Sequence, residues 1–250
     1  MKKLLVMLVT ALIFFSVFST NMFAAEKSGV GQLKQEFESQ LLQQISDTSG
    51  VERETLQEQY DKYVKLDESE QNKFVSYISD EELMSEVMKE YKSPGSSNLD
   101  VATKEEQING ETVNTSSVNN DIAIVENLSD KPVAEKEPIA TINEHRSAWY
   151  KKYVTLFGIK VLENTSTLDY TRTGYGGRIT GILGSDHRVT RNFTVNRISY
   201  SGKVDRYGST YAYSNSNTTV AIIWKGVWTY DDGKCQIRVD NRSNVTGYFR

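Results

Sequence analysis

The chain holds one cysteine, two histidines and three prolines in 250 residues. A single thiol excludes an intramolecular disulfide framework. So few cysteines and histidines also argue against a conventional zinc site, which draws three or four ligands from these types. Long apolar runs are scarce as well. The first residues, MKKLLVMLVTALIFFSVFSTNMFAAEKS, carry Lys2 and Lys3, then an apolar stretch from Leu4 to Phe18, then the small pair Ala24 and Ala25. That order is the pattern of a secretory signal. The apolar stretch is shorter than a bilayer span requires. A cleaved signal over residues 1–25 and a secreted, extracellular chain are therefore expected.

Catalytic patterns are thin. Ser185, Asp186 and His187 stand in a row within RITGILGSDHRVT, but triad members converge from separate positions, and the glycine and aspartate there read as a turn. TGYGGR is glycine-rich without the form or the βαβ setting of a P-loop or dinucleotide fingerprint. Glu163 with Asp169, or Asp205 with another acid, stays open as a glycosidase pair, although nothing selects them. The expectation is a non-enzyme with no catalytic residue and no cofactor.

What the chain does have is a division of charge. Residues 26–93 carry 16 acidic and 8 basic side chains, whereas residues 144–250 carry 8 acidic and 16 basic. In the acidic segment Leu33, Phe37, Leu41 and Ile45 recur at four-residue spacing, as on one helix face. Asp67 with Glu70, and Ser79 with Glu82, have capping-box spacing. A small bundle of four helices follows. Residues 94–143 hold the three prolines among Ser, Asn, Thr and Glu, a composition that reads as a disordered acidic linker. Ile122–Val125 could add a strand there. EHRSAWYKKY, from Glu144 to Tyr153, reads as a short lead-in helix.

The remainder reads as strands: Tyr153–Leu162, Arg178–Leu183, a thirteen-residue alternation from Arg188 to Tyr200, and four or five more. Ser201-Gly202 reads as a turn. In GVWTYDDGKCQIRVDN, Asp231-Asp232-Gly233 reads as a hairpin turn because Asp-Gly is a strong hairpin signal. Cys235, Ile237 and Val239 then alternate toward the core. The fold class is thus α+β in separate segments: helical bundle, disordered linker and a C-terminal antiparallel β-sandwich or small barrel over residues 144–250.

Two binding chemistries suit the basic domain. Asp231, Asp232 and Asp240 are weak calcium candidates, in a spacing that matches no EF-hand loop. Arg191, Arg197, Arg206 and Arg238, with Tyr211 and Tyr213 on one strand face, form the stronger candidate set. For an exported protein their reachable targets are anionic cell-wall polymers, glycans or lipid head groups rather than nucleic acid. The basic domain could equally face the acidic helices of its own chain.

LDESEQNKFVSYISDEELM together with TGYGGRITGILG and GVWTYDDGKCQIRVDN is similar to uncharacterised secreted proteins of Gram-positive bacteria, built as signal, helical segment and β-rich domain. The Tyr/Asn/Ser-rich strands and the GVW element resemble secreted β-sandwich bacteriocins. Neither likeness transfers a functional residue. The leading expectation is a secreted binding protein whose basic, tyrosine-rich β domain engages an anionic or glycan envelope surface. The alternatives are an antimicrobial precursor with the helices as pro-region, and a secreted hydrolase.

Overall fold

The four-residue apolar spacing becomes four helices in a computed structural model, which describes residues 29–133, 143–190, 195–224 and 226–249. The expected signal lies outside them. Helix α1 spans residues 29–47, and α2 Gly50–Tyr63, α3 Glu68–Ser79 and α4 Glu81–Lys92 follow. Phe37, Leu41 and Ile45 are buried, as their spacing predicts. Phe37, Tyr63 and Phe74 form an aromatic cluster with ring centroids 5.2–5.8 Å apart. Asp67 and Glu70 make the full capping box of α3. The cap of α4 is Asp80 rather than Ser79, its carboxylate accepting from the Leu83 amide at 3.0 Å. No helix among the described residues is long and apolar enough to cross a membrane.

Ten strands follow, and each pairs antiparallel with its sequence neighbours inside two sheets. The first sheet runs in order through β1 (Ala102–Ile108), β2 (Glu111–Ser117), β3 (Ile122–Pro132), β4 (Glu144–Leu156), β5 (Ile159–Arg172) and β6 (Ile179–Thr190). The second holds β7 (Val195–Tyr207), β8 (Tyr211–Trp224), β9 (Gly226–Asp240) and β10 (Val245–Phe249), in the order β10-β9-β8-β7. The sheets remain separate among the described residues and do not close into a barrel.

Several expectations are corrected. The supposed disordered linker supplies β1, β2 and β3. These strands are polar because β1 is wholly exposed and β2 only half-buried; their ordering comes from ladder bonds to the apolar β3–β4 pair. Glu144–Tyr153 is strand, not helix: Arg146, Ala148, Tyr150, Lys152, Val154 and Leu156 are buried in strict alternation. Two charges on that buried side hid the period. The strand expected from Tyr153 to Leu162 is broken by a turn at Phe157-Gly158, both with positive φ. Arg188–Tyr200 is not one strand, since β6 ends at Thr190 and β7 begins at Val195.

Both expected turns in the second sheet are β-bulges. Ser201 pairs with Asn217 and Val204 with Asn215, so β7 holds one extra residue at Gly202-Lys203, with Gly202 at φ +63. Likewise Thr218 pairs with Gly233 and Val220 with Tyr230, which puts an extra residue in β9 at Asp231-Asp232. The β8–β9 reversal lies between Trp224 and Gly226 instead. Turn-forming residues supply the same unusual backbone to a bulge as to a turn.

The inner face of the first sheet has two covers. Toward one end, Ala148, Tyr150, Leu168, Tyr170 and Ile179 pack against Ala212, Ile237 and Val239 of the second sheet. Toward the other end, Ile122, Ile124, Val154, Leu156, Val161 and Leu162 pack with the buried face of the helices. Tyr91 of α4 pins that junction. Its ring meets Phe249 edge-on at 5.4 Å, and its hydroxyl donates to the Lys152 carbonyl at 3.0 Å. The contact is apolar in the main; among the described residues Lys73 to Asp121, at 3.9 Å, is an ion pair that crosses it.

Candidate functional site

The outer face of the second sheet gathers most of the candidate residues. Successive side chains of a strand point to opposite faces, so burial of Ala212, Ser214, Ser216 and Thr218 turns Tyr211, Tyr213, Asn215 and Asn217 outward. On β9, burial of Cys235, Ile237 and Val239 turns Lys234, Gln236, Arg238 and Asp240 outward in the same way. Register completes the arrangement: Arg206, Tyr213, Arg238 and Thr246 form one row across all four strands. Tyr211 and Asp240 stand in the next row.

The aromatic pair is held in place. The Tyr211 and Tyr213 rings lie 6.1 Å apart and within 17° of parallel. The Arg238 guanidinium sits 5.0 Å from the Tyr211 centroid, a cation–π distance. Gly208 makes room for the ring, since a Cβ there would approach Tyr211 Cε1 to 3.1 Å. Arg206 and Arg238 are exposed, and among the described residues no ion pair engages either. The one acid on this part of the face is committed to the β9–β10 turn. Asp240 accepts from the Arg242 amide at 2.8 Å, the Asn244 amide at 2.9 Å and Asn244 Nδ2 at 2.7 Å. These bonds engage both of its oxygens. Among the described residues no group of three or more His, Cys, Asp or Glu could hold a metal. Arg191, and the side chains of Arg197, Asp231 and Asp232, lie outside the described residues.

A second polar cluster lies where β6 and β7 meet without ladder bonds. His187 and Ser185 point inward from β6 and Asp186 outward, so the row of three does not converge. The His187 Nδ1 is 2.8 Å from Ser166 Oγ and its Nε2 2.8 Å from Ser214 Oγ. Ser214 donates to Ser185 at 3.0 Å, and Ser185 donates to Asp205 at 2.7 Å. A carboxylate only accepts, which fixes the protons from Asp205 back to His187 Nε2. Ser185 gives its proton to Asp205 and Ser214 gives its own to Ser185. The imidazole must then donate from Nε2 to Ser214 and accept from Ser166 at Nδ1. Burial lowers the His187 pKa to about 4, partly opposed by the Asp205 and Asp186 charges. A neutral, Nε2-protonated ring follows from both arguments.

This is not a nucleophilic triad. Ser214 is fully buried with its proton committed, and the acid touches a serine rather than the imidazole. Lys203 donates to the Ser185 carbonyl at 2.7 Å, so side chains bridge the seam in place of a ladder. A cavity of about 420 Å³ lined by Ser185, His187, Lys203 and Ser216 opens beside it. The Glu163–Asp169 pair fails on distance. Glu163 and Asp169 lie on one strand six residues apart, about 20 Å at 3.3 Å per residue, against the 5–9.5 Å such catalysis needs.

Sequence reasoning missed one surface. On the outer face of the first sheet, Trp149 lies beneath Lys151 and Lys131, with ammoniums 4.6 and 5.9 Å from the ring centroid. Lys160 lies 4.5 Å from the Tyr153 centroid. Period-two alternation of Trp149, Lys151 and Tyr153 was the available signal, lost when the segment was read as helix. Its charges are largely satisfied: Lys131 pairs with Glu111 at 2.7 Å, and Lys160 pairs with Glu163.

No family model, curated protein or solved structure matches the chain.

Proposed function

We propose that this is an exported, non-enzymatic binding protein, and that the outer face of its second sheet holds an acidic glycan of the cell envelope. The carrying observation is the cluster of Arg206, Tyr211, Tyr213 and Arg238, with two near-parallel rings and two guanidiniums that make no ion pair among the described residues, all on one sheet face. Aromatic rings supply apolar area at low entropic cost. Guanidinium forks match carboxylate and phosphate oxygens in pairs. Asn215 and Gln236, joined at 2.7 Å, add amide hydrogen-bonding groups one row below. Export rests on the N-terminal pattern in the sequence.

The test is retention of the full chain on purified cell wall and on an immobilised acidic polysaccharide. Wild type should bind and should elute with salt, because exposed charge pairs are screened. Tyr211→Ala and Arg238→Ala should each weaken retention with unchanged circular dichroism. Retention on neither support would refute the proposal.

A further inference from the structure

The glycine-rich TGYGGR stretch, Thr173–Arg178, is a built display rather than a loose loop. Its ends are tied: the Thr173 amide donates to the Arg178 carbonyl at 3.0 Å, and the Arg178 amide to Thr173 Oγ1 at 2.8 Å. Gly174 and Gly176 take φ of +102 and +71, and a Cβ on Gly177 would fall 2.6 Å from Thr173 Oγ1. These glycines are therefore demanded by the conformation. What they hold out is Tyr175, at 77% exposure the most open large apolar side chain among the described residues. Beneath it the buried Arg172 guanidinium lies 5.5 Å from the ring centroid. Arg172 is itself clamped by Glu144 at 2.8 Å, the Asn241 carbonyl at 3.0 Å and Ser243 Oγ at 2.7 Å.

The loop is stitched to the tyrosine face. The Gly176 amide donates to the Asn241 carbonyl at 2.8 Å, and Asn241 Nδ2 donates back to the Gly176 carbonyl at 2.9 Å. The Asn241 amide in turn donates to the Thr210 carbonyl at 3.0 Å, and Thr210 precedes Tyr211. Gly176 and Thr210 are thus two hydrogen-bonded chain spacings apart, about 10 Å at ~4.8 Å each. Arg178 and Arg242 are exposed on the two loops, and among the described residues no ion pair engages either. Tyr213, Tyr211 and Tyr175 consequently mark a path from the open face over the end of the sheet, flanked by Arg238, Arg242 and Arg178.

We infer that Tyr175 is an outer subsite on this path, and that the ligand is an extended acidic polysaccharide several sugars long rather than a single head group. The inference rests on the proposed function of the Tyr211 face and adds its length and direction. A lone phosphate or sugar ring would leave one end of the path unused.

Equilibrium binding of the full chain to uronic-acid oligosaccharides of increasing length tests it. Wild-type affinity should rise with length and then level off. Tyr175→Ala should bind the shortest oligomers like wild type and lose roughly threefold to tenfold on long ones, as expected for one aromatic contact. Equal affinity of Tyr175→Ala and wild type at every length overturns the inference while leaving the Tyr211 face intact. Binding of single-stranded DNA of matched charge as tightly as the oligosaccharides overturns the ligand class. Absence of binding to any oligomer by wild type sinks the Tyr211 reading, and the subsite with it.

Discussion

Acidification should destabilise the protein through His187 well before its carboxylates titrate. The folded imidazole titrates near 4, against about 6.5 in the unfolded chain. Between those values the unfolded state binds more protons, so stability rises with pH and falls as pH drops from about 6.5 toward 4. The structural cause is burial, which penalises the charged ring. Protonated His187 would donate from both nitrogens, so the Ser166 hydroxyl would have to turn and accept. Linkage over the two pKa values gives a loss of about 2 kcal/mol by pH 5 and about 3 kcal/mol by pH 4. For a chain of this size, 2 kcal/mol corresponds to a midpoint lowered by roughly 4–8 °C. The assay is thermal unfolding from pH 7.5 to 5 on wild type and His187→Gln. Glutamine can accept from Ser166 and donate to Ser214, so the variant keeps the direction of the chain without the titration. It should be flat where wild type slopes. Parallel slopes, or an imidazole that titrates near 6.5 by NMR in the folded protein, would refute the reasoning.

Other expectations follow from close packing and burial. A Cβ on Gly247 would stand 2.3 Å from Tyr150 Cγ, so Gly247→Ala should cost about 1–3 kcal/mol in denaturant unfolding; a neutral result would mean the sheets can part locally. Lys152 is buried and paired with Glu126 at 2.6 Å. Lys152→Ala, which leaves the Glu126 carboxylate with the Tyr150 hydroxyl as its remaining side-chain partner, should cost about 1–3 kcal/mol, and Lys152→Met with Glu126→Gln should recover most of it. Cys235 is fully buried, its thiol pKa raised by burial, with Asn164 Nδ2 and Thr218 Oγ1 both 3.2 Å from the sulfur. A thiol reagent should label it at the rate of unfolding; labelling as fast as a free peptide would place the sulfur at the surface.

Local chemistry was legible and distant partnership was not. The helices announced themselves through Phe37, Leu41 and Ile45, and the Asp67–Glu70 box through spacing alone, because both depend on residues within one or two turns. Tyr211 and Tyr213 were legible as one face for the same reason. The neighbours that make them a site, Arg206 and Arg238, were named by type, but their common row depends on pairing between strands. β4 failed as a strand because its buried Arg146 and Lys152 look solvent-facing until Asp130, Glu144 and Glu126 are supplied. β1 and β2 failed because an edge hairpin needs no apolar face of its own once β3 offers it a ladder. The bulges at Gly202 and Asp231-Asp232 failed because a short motif specifies backbone shape, not whether the chain reverses.

The shared inner face of the first sheet bears on how the molecule lives among proteases. Helices and second sheet each cover part of one apolar surface, so neither can leave without exposing the part it covers to water. A clipped β fragment would carry Ile122, Ile124, Val154, Leu156 and Val161 bare, which makes it adhesive and short-lived. The acidic helices thus share one core with the first sheet. Any ligand of the β strands would meet a molecule with a bundle of carboxylates packed against its first sheet.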